Sequence, residues 1–288
     1  MSAHQRLRGL LAGDELLVAP GVGDGLSARL VAAAGFPLVY ASGGAIARGA
    51  GLPDLNLLTV GQIVDRLQQM TDAVALPVIA DADTGHGGAL NVYRTIREYR
   101  RAGVAGFHIE DQTYPKRCGH YDDKNVVGVA EMEERLHAAC DAADGLLVIA
   151  RTDALAVEPL ERALERAHRY MTAGADMIFV EAPTSIEQIE RIARELPYPK
   201  LVNMFFGGKT PLVPAPRLAE LGYRIVIVPS DLQRAAIAAM QEALGLLGRD
   251  GHTMAMADRM VSFADREAIV GTRRLLDQAR GYQSGRRG

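Results

Sequence analysis

Short apolar runs recur eight times along the chain, spaced by helix-length intervals, and that count constrains the fold more than any other feature. The runs are Leu16 to Pro20, Leu38 to Ala41, Pro77 to Ala80, Gly106 to Ile109, Leu146 to Ala150, Met177 to Val180, Lys200 to Val202 and Arg224 to Val228. Rich in valine and isoleucine, they read as strands buried on both faces, the pattern of a parallel sheet. Segments of helical period lie between them, among them Asn91 to Ala102, Ala130 to Ala142, Leu160 to Ala173 and Ile186 to Leu196. Gly35, Gly103, Gly174 and Gly222 are placed to stop helices.

Eight strand-helix repeats predict an α/β fold, a closed (β/α)8 TIM barrel that uses residues 1–288 as one domain. A doubly wound open sheet is the alternative, but it would gather ligand contacts at one switch point. Here nearly every run ends in polar residues: Ser42-Gly43-Gly44, Asp81-Ala82-Asp83, Glu110-Asp111, Arg151-Thr152-Asp153, Glu181, Asn203 and Ser230-Asp231. Working groups at the carboxyl ends of many strands are the habit of a barrel. Residues 250–282 keep helical periodicity beyond what a complete barrel needs. They are expected to form a C-terminal helical extension, packed on another subunit or back on their own barrel.

A formal charge of −3 argues against nucleic acid and anionic membranes as partners. No apolar run approaches the ~20 residues of a membrane span. Met1 to Leu17 lacks a signal-peptide core, and two cysteines suggest no disulfide scaffold, so a reducing, cytoplasmic setting is expected.

The chemistry concentrates in a few stretches. Lys116-Arg117-Cys118-Gly119-His120 sets one thiol among three cationic side chains, which favours thiolate, the reactive form. The same residues also fit a basic loop with an incidental cysteine. Asp81 and Asp83, two apart at a strand end, are expected on one face, where a cation would relieve their repulsion. Hard oxygen donors suit Mg2+, with Mn2+ possible, and Glu110 is placed to join directly or through water. The alternative for the aspartates is helix capping. Arg151 would bind a substrate carboxylate with its fork, or neutralise Asp81, Asp83 or Glu181. Ser42-Gly43-Gly44 offer backbone amides to a carboxylate, with Glu181 and Asn203 as weaker substrate contacts. Cys140 and His108 are expected in the core.

Together, Ser42-Gly43-Gly44, Leu52-Pro53-Asp54-Leu55, Asp81-Ala82-Asp83-Thr84-Gly85, His108-Ile109-Glu110-Asp111-Gln112, Lys116-Arg117-Cys118-Gly119-His120 and Ala150-Arg151-Thr152-Asp153-Ala154 resemble the isocitrate lyase and phosphoenolpyruvate mutase superfamily. The likeness is nearest to its lyase branch, which includes 2-methylisocitrate and 2,3-dimethylmalate lyases, and runs from about Val18 to Pro229. It implies a homotetramer with swapped C-terminal helices, and Mg2+ near Asp81, Asp83 and Glu110, with Asp54 among the acids around it. It further implies a small di- or tricarboxylate substrate and cleavage to an α-keto acid, pyruvate first among the candidates. Cys118 would exchange the carbon-bound proton with its pKa tuned by Lys116, Arg117 and His120, while Tyr40, Asp54 and Glu110 are candidates for the hydroxyl proton. The other chemistry the resemblance allows is oxaloacetate hydrolysis or decarboxylation, or phosphonate rearrangement. Phe206 and Ser230-Asp231 depart from the pattern of these lyases, which bears on the C2 and C3 substituents accepted.

Overall fold

In a computed structural model, residues 1–117, 119 and 124–283 are described. Cys118 and His120 lie outside the described residues. Eight parallel strands, β1 (Leu17–Val22), β2 (Val39–Ala41), β3 (Val78–Asp81), β4 (Gly106–Glu110), β5 (Leu147–Thr152), β6 (Met177–Val180), β7 (Lys200–Asn203) and β8 (Tyr223–Val228), pair in sequence order. Leu17 pairs with Ile225 and Pro20 with Val228, which closes the barrel. Helix α1 (Ala3–Ala12) precedes β1, and α2 (Gly25–Ala33), the pair α3 (Gly43–Gly49) and α4 (Val60–Ala73), α5 (Ala89–Arg101), α6 (Val129–Ala143), α7 (Leu160–Thr172), α8 (Ile186–Glu195) and α9 (Ala215–Glu220) connect the successive strands.

Strand parity divides the apolar residues into two cores. Residues such as Val39, Ala41, Val78, Ala80, Phe107, Ile109, Val148 and Ala150 pack outward beneath the helices. Their neighbours Tyr40, Ile79, Leu147, Ile149, Met177, Phe179, Leu201, Ile225 and Ile227 fill the interior, joined by Leu7 from α1 at the floor. Because side chains alternate along a strand, the inward column that starts at Ile79, Ile149, Phe179 and Leu201 continues to Asp81, Arg151, Glu181 and Asn203. This alternation, more than any loop, delivers the polar residues to the mouth.

The helix-ending glycines behave as expected: Gly103 and Gly174 have φ of +83° and +109°, where a side chain would be strained. Cys140 is only partly buried, on the edge of the outer core, and its thiol lies 3.4 Å from the Gly174 carbonyl.

The chain separates into two compact units, Met1–Leu232 and the residues from Gln233 on, a division earlier than the expected boundary at 250. The helix α10 (Asp231–Asp250) crosses that boundary, and α11 (Phe263–Val270) and α12 (Thr272–Gln283) complete the second unit. None of these three helices has a buried residue. Leu244, Phe263, Leu275 and Leu276 are each more than half exposed. No described helix is long and apolar enough to cross a membrane.

Candidate active site

At the carboxyl end of the barrel stands a buried ionic network. Arg151, ending β5 on the inward side, reaches Glu110 Oε2 at 3.0 Å with Nη1 and Glu181 Oε2 at 3.4 Å with Nη2. Its Nε and Nη2 also donate to Asp153, at 2.8 and 3.1 Å. The neutralising role of Arg151 is what the structure shows, toward Glu181 as expected and toward Glu110 and Asp153 in place of Asp81 or Asp83. Asn203 donates to Glu181 Oε1 at 3.3 Å, so the two weaker picks are neighbours.

Asp83 departs from the strand-end expectation. β3 ends at Asp81, and Asp83 sits in a turn with φ of +48°, so the two carboxylates are brought together by that turn and not by strand alternation. Its N–H donates to Asp81 Oδ1 at 3.1 Å. Neither aspartate caps a helix; the N-cap of α5 is Gly88, which makes no side-chain cap.

Lys116 is the second surprise. Its ammonium is buried and bound by Asp54 and, at 2.9 Å, by Asp83. The cation expected beside the thiol is thus engaged by two of the acids expected around the metal. Arg117 is held through its backbone, whose N–H and carbonyl meet the Gln112 side chain at 2.9 Å each. A Cβ built on Gly119 would come 2.5 Å from Arg151 Nη2 and 2.9 Å from the Glu181 carboxyl carbon. Only glycine allows the segment to lie this close, which puts the residue next to Cys118 in sequence directly over the mouth.

Ser42 caps α3, accepting from Ala45 N at 3.3 Å. The glycines after it serve the acids: a Cβ on Gly43 would stand 2.8 Å from Asp81 Oδ2, and one on Gly44 3.0 Å from Asp54 Oδ2.

His108 is a core residue, as expected, but a connected one. Fully buried, it shares a 2.8 Å hydrogen bond between Nε2 and the Tyr40 hydroxyl, while Tyr40 donates to Asp81 Oδ2 at 3.3 Å. Inward parity on β4, shared with Glu110, is the sequence signal that finds it. Asp111 points the other way and accepts from Thr152 Oγ1, Asp153 N and the Tyr170 hydroxyl at 2.7 to 2.8 Å, anchoring the backbone that aims Arg151.

Burial governs the protonation states. It pushes Glu110 well above the usual carboxylate range, aided by Asp153 and Asp83 and opposed by Arg151. Burial, Asp81 and Asp54 raise Asp83 to about 7 against the pull of Lys116. Burial lowers His108 to about 4, leaving it neutral near pH 7. Burial would raise Asp81, but His108, charged at the low pH where Asp81 titrates, together with Lys116 and Arg151, holds it well below the usual carboxylate range. Tyr40 is raised by burial and by Asp81, so it stays a hydroxyl donor.

The residues fit a divalent cation. Donor atoms of Asp81, His108 and Glu110 lie within 4.8 Å of one another. Glu110 Oε1 is buried without a hydrogen-bond partner, a costly arrangement that an added cation would relieve. Hard carboxylate oxygens supply the donors such an ion prefers.

A family model described as phosphoenolpyruvate phosphomutase matches residues 7–247. The chain is 39% identical to the 2,3-dimethylmalate lyase of Eubacterium barkeri, across 99% of this chain and 100% of that protein. It is 40% identical to the 2-methylisocitrate lyase of Aeropyrum pernix, across 92% of this chain and 86% of the other. Among solved structures, oxaloacetate acetylhydrolase bound to 3,3-difluorooxalacetate superposes with a TM-score of 0.93 at 34% identity, covering 100% of this chain and 98% of that one.

Proposed function

The chain belongs to the phosphoenolpyruvate mutase and isocitrate lyase superfamily, and from that premise we propose that it is a Mg2+-dependent carbon-carbon lyase. Its substrate is a 2-alkylmalate or 2-methylisocitrate type acid, split into an α-keto acid, pyruvate first among the candidates, and a second carboxylate. The observation that carries the reading is the position of Arg151, fixed among Glu110, Asp153 and Glu181 at the same barrel end as Asp81.

Asp81 and Glu110 would hold the ion, with Asp83 and Asp54 flanking and Mn2+ as a substitute. When bound, it would stabilise negative charge on the oxygens of the hydroxy-acid half. Arg151 binds the carboxylate of that half and keeps it oriented as the C2 carbonyl forms. Of the three candidates for the hydroxyl proton, Tyr40 is held protonated, Asp54 is held by Lys116, and Glu110 would take the proton only while it also holds the ion. Loss of that proton breaks the C2–C3 bond, and the electron pair passes to C3 and its carboxylate. The Cys118 thiol then protonates C3, and in reverse its thiolate removes the proton. Gly119, seated on Arg151, supports bringing position 118 to the substrate.

The exposed apolar side chains of α10, α11 and α12 support a homotetramer in which the C-terminal helices are exchanged, each 1–288 chain contributing one barrel and a 250–282 extension. The enzyme would act in the cytoplasm.

Oxaloacetate hydrolysis is the second reading, favoured by the superposition on oxaloacetate acetylhydrolase. A panel of hydroxy-diacids, hydroxy-triacids, oxaloacetate and phosphonopyruvate, with products identified, separates the two. Keto-acid release from an alkylmalate or methylisocitrate, dependent on Mg2+, is expected. Release of oxalate from oxaloacetate alone would replace the lyase reading with the hydrolase one.

A further inference from the structure

Lys124 is a fully buried lysine that the chemistry above leaves unused. Its Nζ donates to the Gly119 carbonyl and, at 2.7 Å, to Asp153 Oδ1. An unpaired ammonium in such a place is strongly unfavourable, so both partners are integral to its being there.

Asp153 is the hinge of the argument. While one oxygen accepts from Lys124, the same carboxylate receives Nε and Nη2 of Arg151, at 2.8 and 3.1 Å. Its backbone N–H is fixed on Asp111 at 2.8 Å, so it cannot follow either cation freely. One immobile carboxylate thus joins Arg151, at the end of β5, to Lys124, in the return from β4 to α6. The second link is steric, since the Gly119 backbone lies against Arg151 Nη2 and Glu181. Gln112 fastens Arg117, and Asp54 with Asp83 fasten Lys116, but Lys124 is what holds the Gly119 carbonyl.

We propose that Lys124 is a positioning residue of this site: by bridging the Gly119 carbonyl and Asp153 it locks the Gly119 backbone to the Arg151 guanidinium. It touches neither the acids assigned to the ion nor, by its burial, the substrate. The inference rests on the lyase reading for its kinetic consequence and on the contacts alone for its structural one.

The test uses Lys124→Met and Lys124→Arg in the full-length protein, with Lys200→Met as control. Lys200 is also buried and donates to two main-chain carbonyls, those of Leu196 and Tyr198, but at the start of β7, the opposite end of the barrel. Arg151 keeps its carboxylates in Lys124→Met, so KM should change little, while lost registration lowers kcat by about 10²-fold. Lys124→Arg, still able to donate to both acceptors, should recover about tenfold of that loss. Tryptic cleavage after Arg117, followed by mass spectrometry, should accelerate in Lys124→Met and stay at the parental rate in Lys200→Met.

Because cleavage is read without turnover, a parent that splits no substrate defeats the lyase reading while the fastening is still tested. Should Lys124→Met fail to fold, Lys124→Gln, an uncharged amide that stops one bond short of the lysine ammonium, is expected to show the same faster cleavage after Arg117. Unchanged cleavage after Arg117, or an equal fall in kcat for Lys200→Met, would overturn the assignment.

Discussion

Replacing Arg151 by methionine is expected to lower kcat/KM by about 10³-fold, the scale seen when a preorganised charge is taken from a developing oxyanion. The cost to stability should be visible as well. Glu110, Asp153 and Glu181 all face this guanidinium, and Lys124 compensates only Asp153. Breaking a buried pair by removing one partner typically costs about 3–5 kcal/mol. Arg151→Lys discriminates the two effects: one ammonium restores charge but cannot address three carboxylates at once, so stability should return further than activity. Thermal melts and steady-state kinetics on the same samples check this. Arg151→Met with activity within tenfold of the parent would remove the residue from the reaction.

The second large effect is expected at Cys118. Cys118→Ser should reduce turnover by about 10³-fold with KM nearly unchanged, because a serine hydroxyl is a far weaker acid than a thiol, whose ordinary pKa is about 8.5. The prediction stands on the sequence placement of the thiol between Arg117 and Gly119 and on the seat of Gly119 over Arg151. Alkylation of the parent should abolish turnover, and bound substrate should slow it. Near-normal turnover in Cys118→Ser would refute proton transfer by the thiol.

The barrel and most of its mouth are legible in the sequence for one physical reason. A strand buried on both faces still alternates, so an apolar run that ends in a polar residue announces where that residue points. Tyr40, Asp81, Glu110, Arg151, Glu181 and Asn203 all follow from that rule, and His108 follows too once parity is counted from Glu110. Asp83 does not, because its approach to Asp81 depends on a turn of positive φ and not on a strand. The partners of Lys116 and Lys124 are also beyond a local reading: Lys116 finds Asp54 across 62 residues and Lys124 finds Asp153 across 29. Neither pair lies on one helix or strand, so no periodicity connects them. The loop reads as a positive field around a thiol, whereas the fold spends its lysines on buried carboxylates.

That exchange shapes the site. Asp54, Asp81, Asp83, Glu110, Asp153 and Glu181 are set against Lys116, Lys124 and Arg151, six acids to three permanent cations. Proton uptake by Glu110 and Asp83, both raised by burial, lessens the excess, and a divalent ion would remove more of it. Proton and metal therefore compete, and metal affinity should rise with pH through the region near 7 where Asp83 ionises.

Calorimetric titration of Mg2+ tests the central claim most directly, alone and with oxalate, whose paired oxygens imitate those of a keto-acid product. The account predicts binding by the parent, tightened by oxalate, and loss of both in Asp81→Asn and Glu110→Gln variants that melt as folded proteins. Mg2+ binding that is unchanged in those two variants, or absent from the parent with and without oxalate, would contradict it.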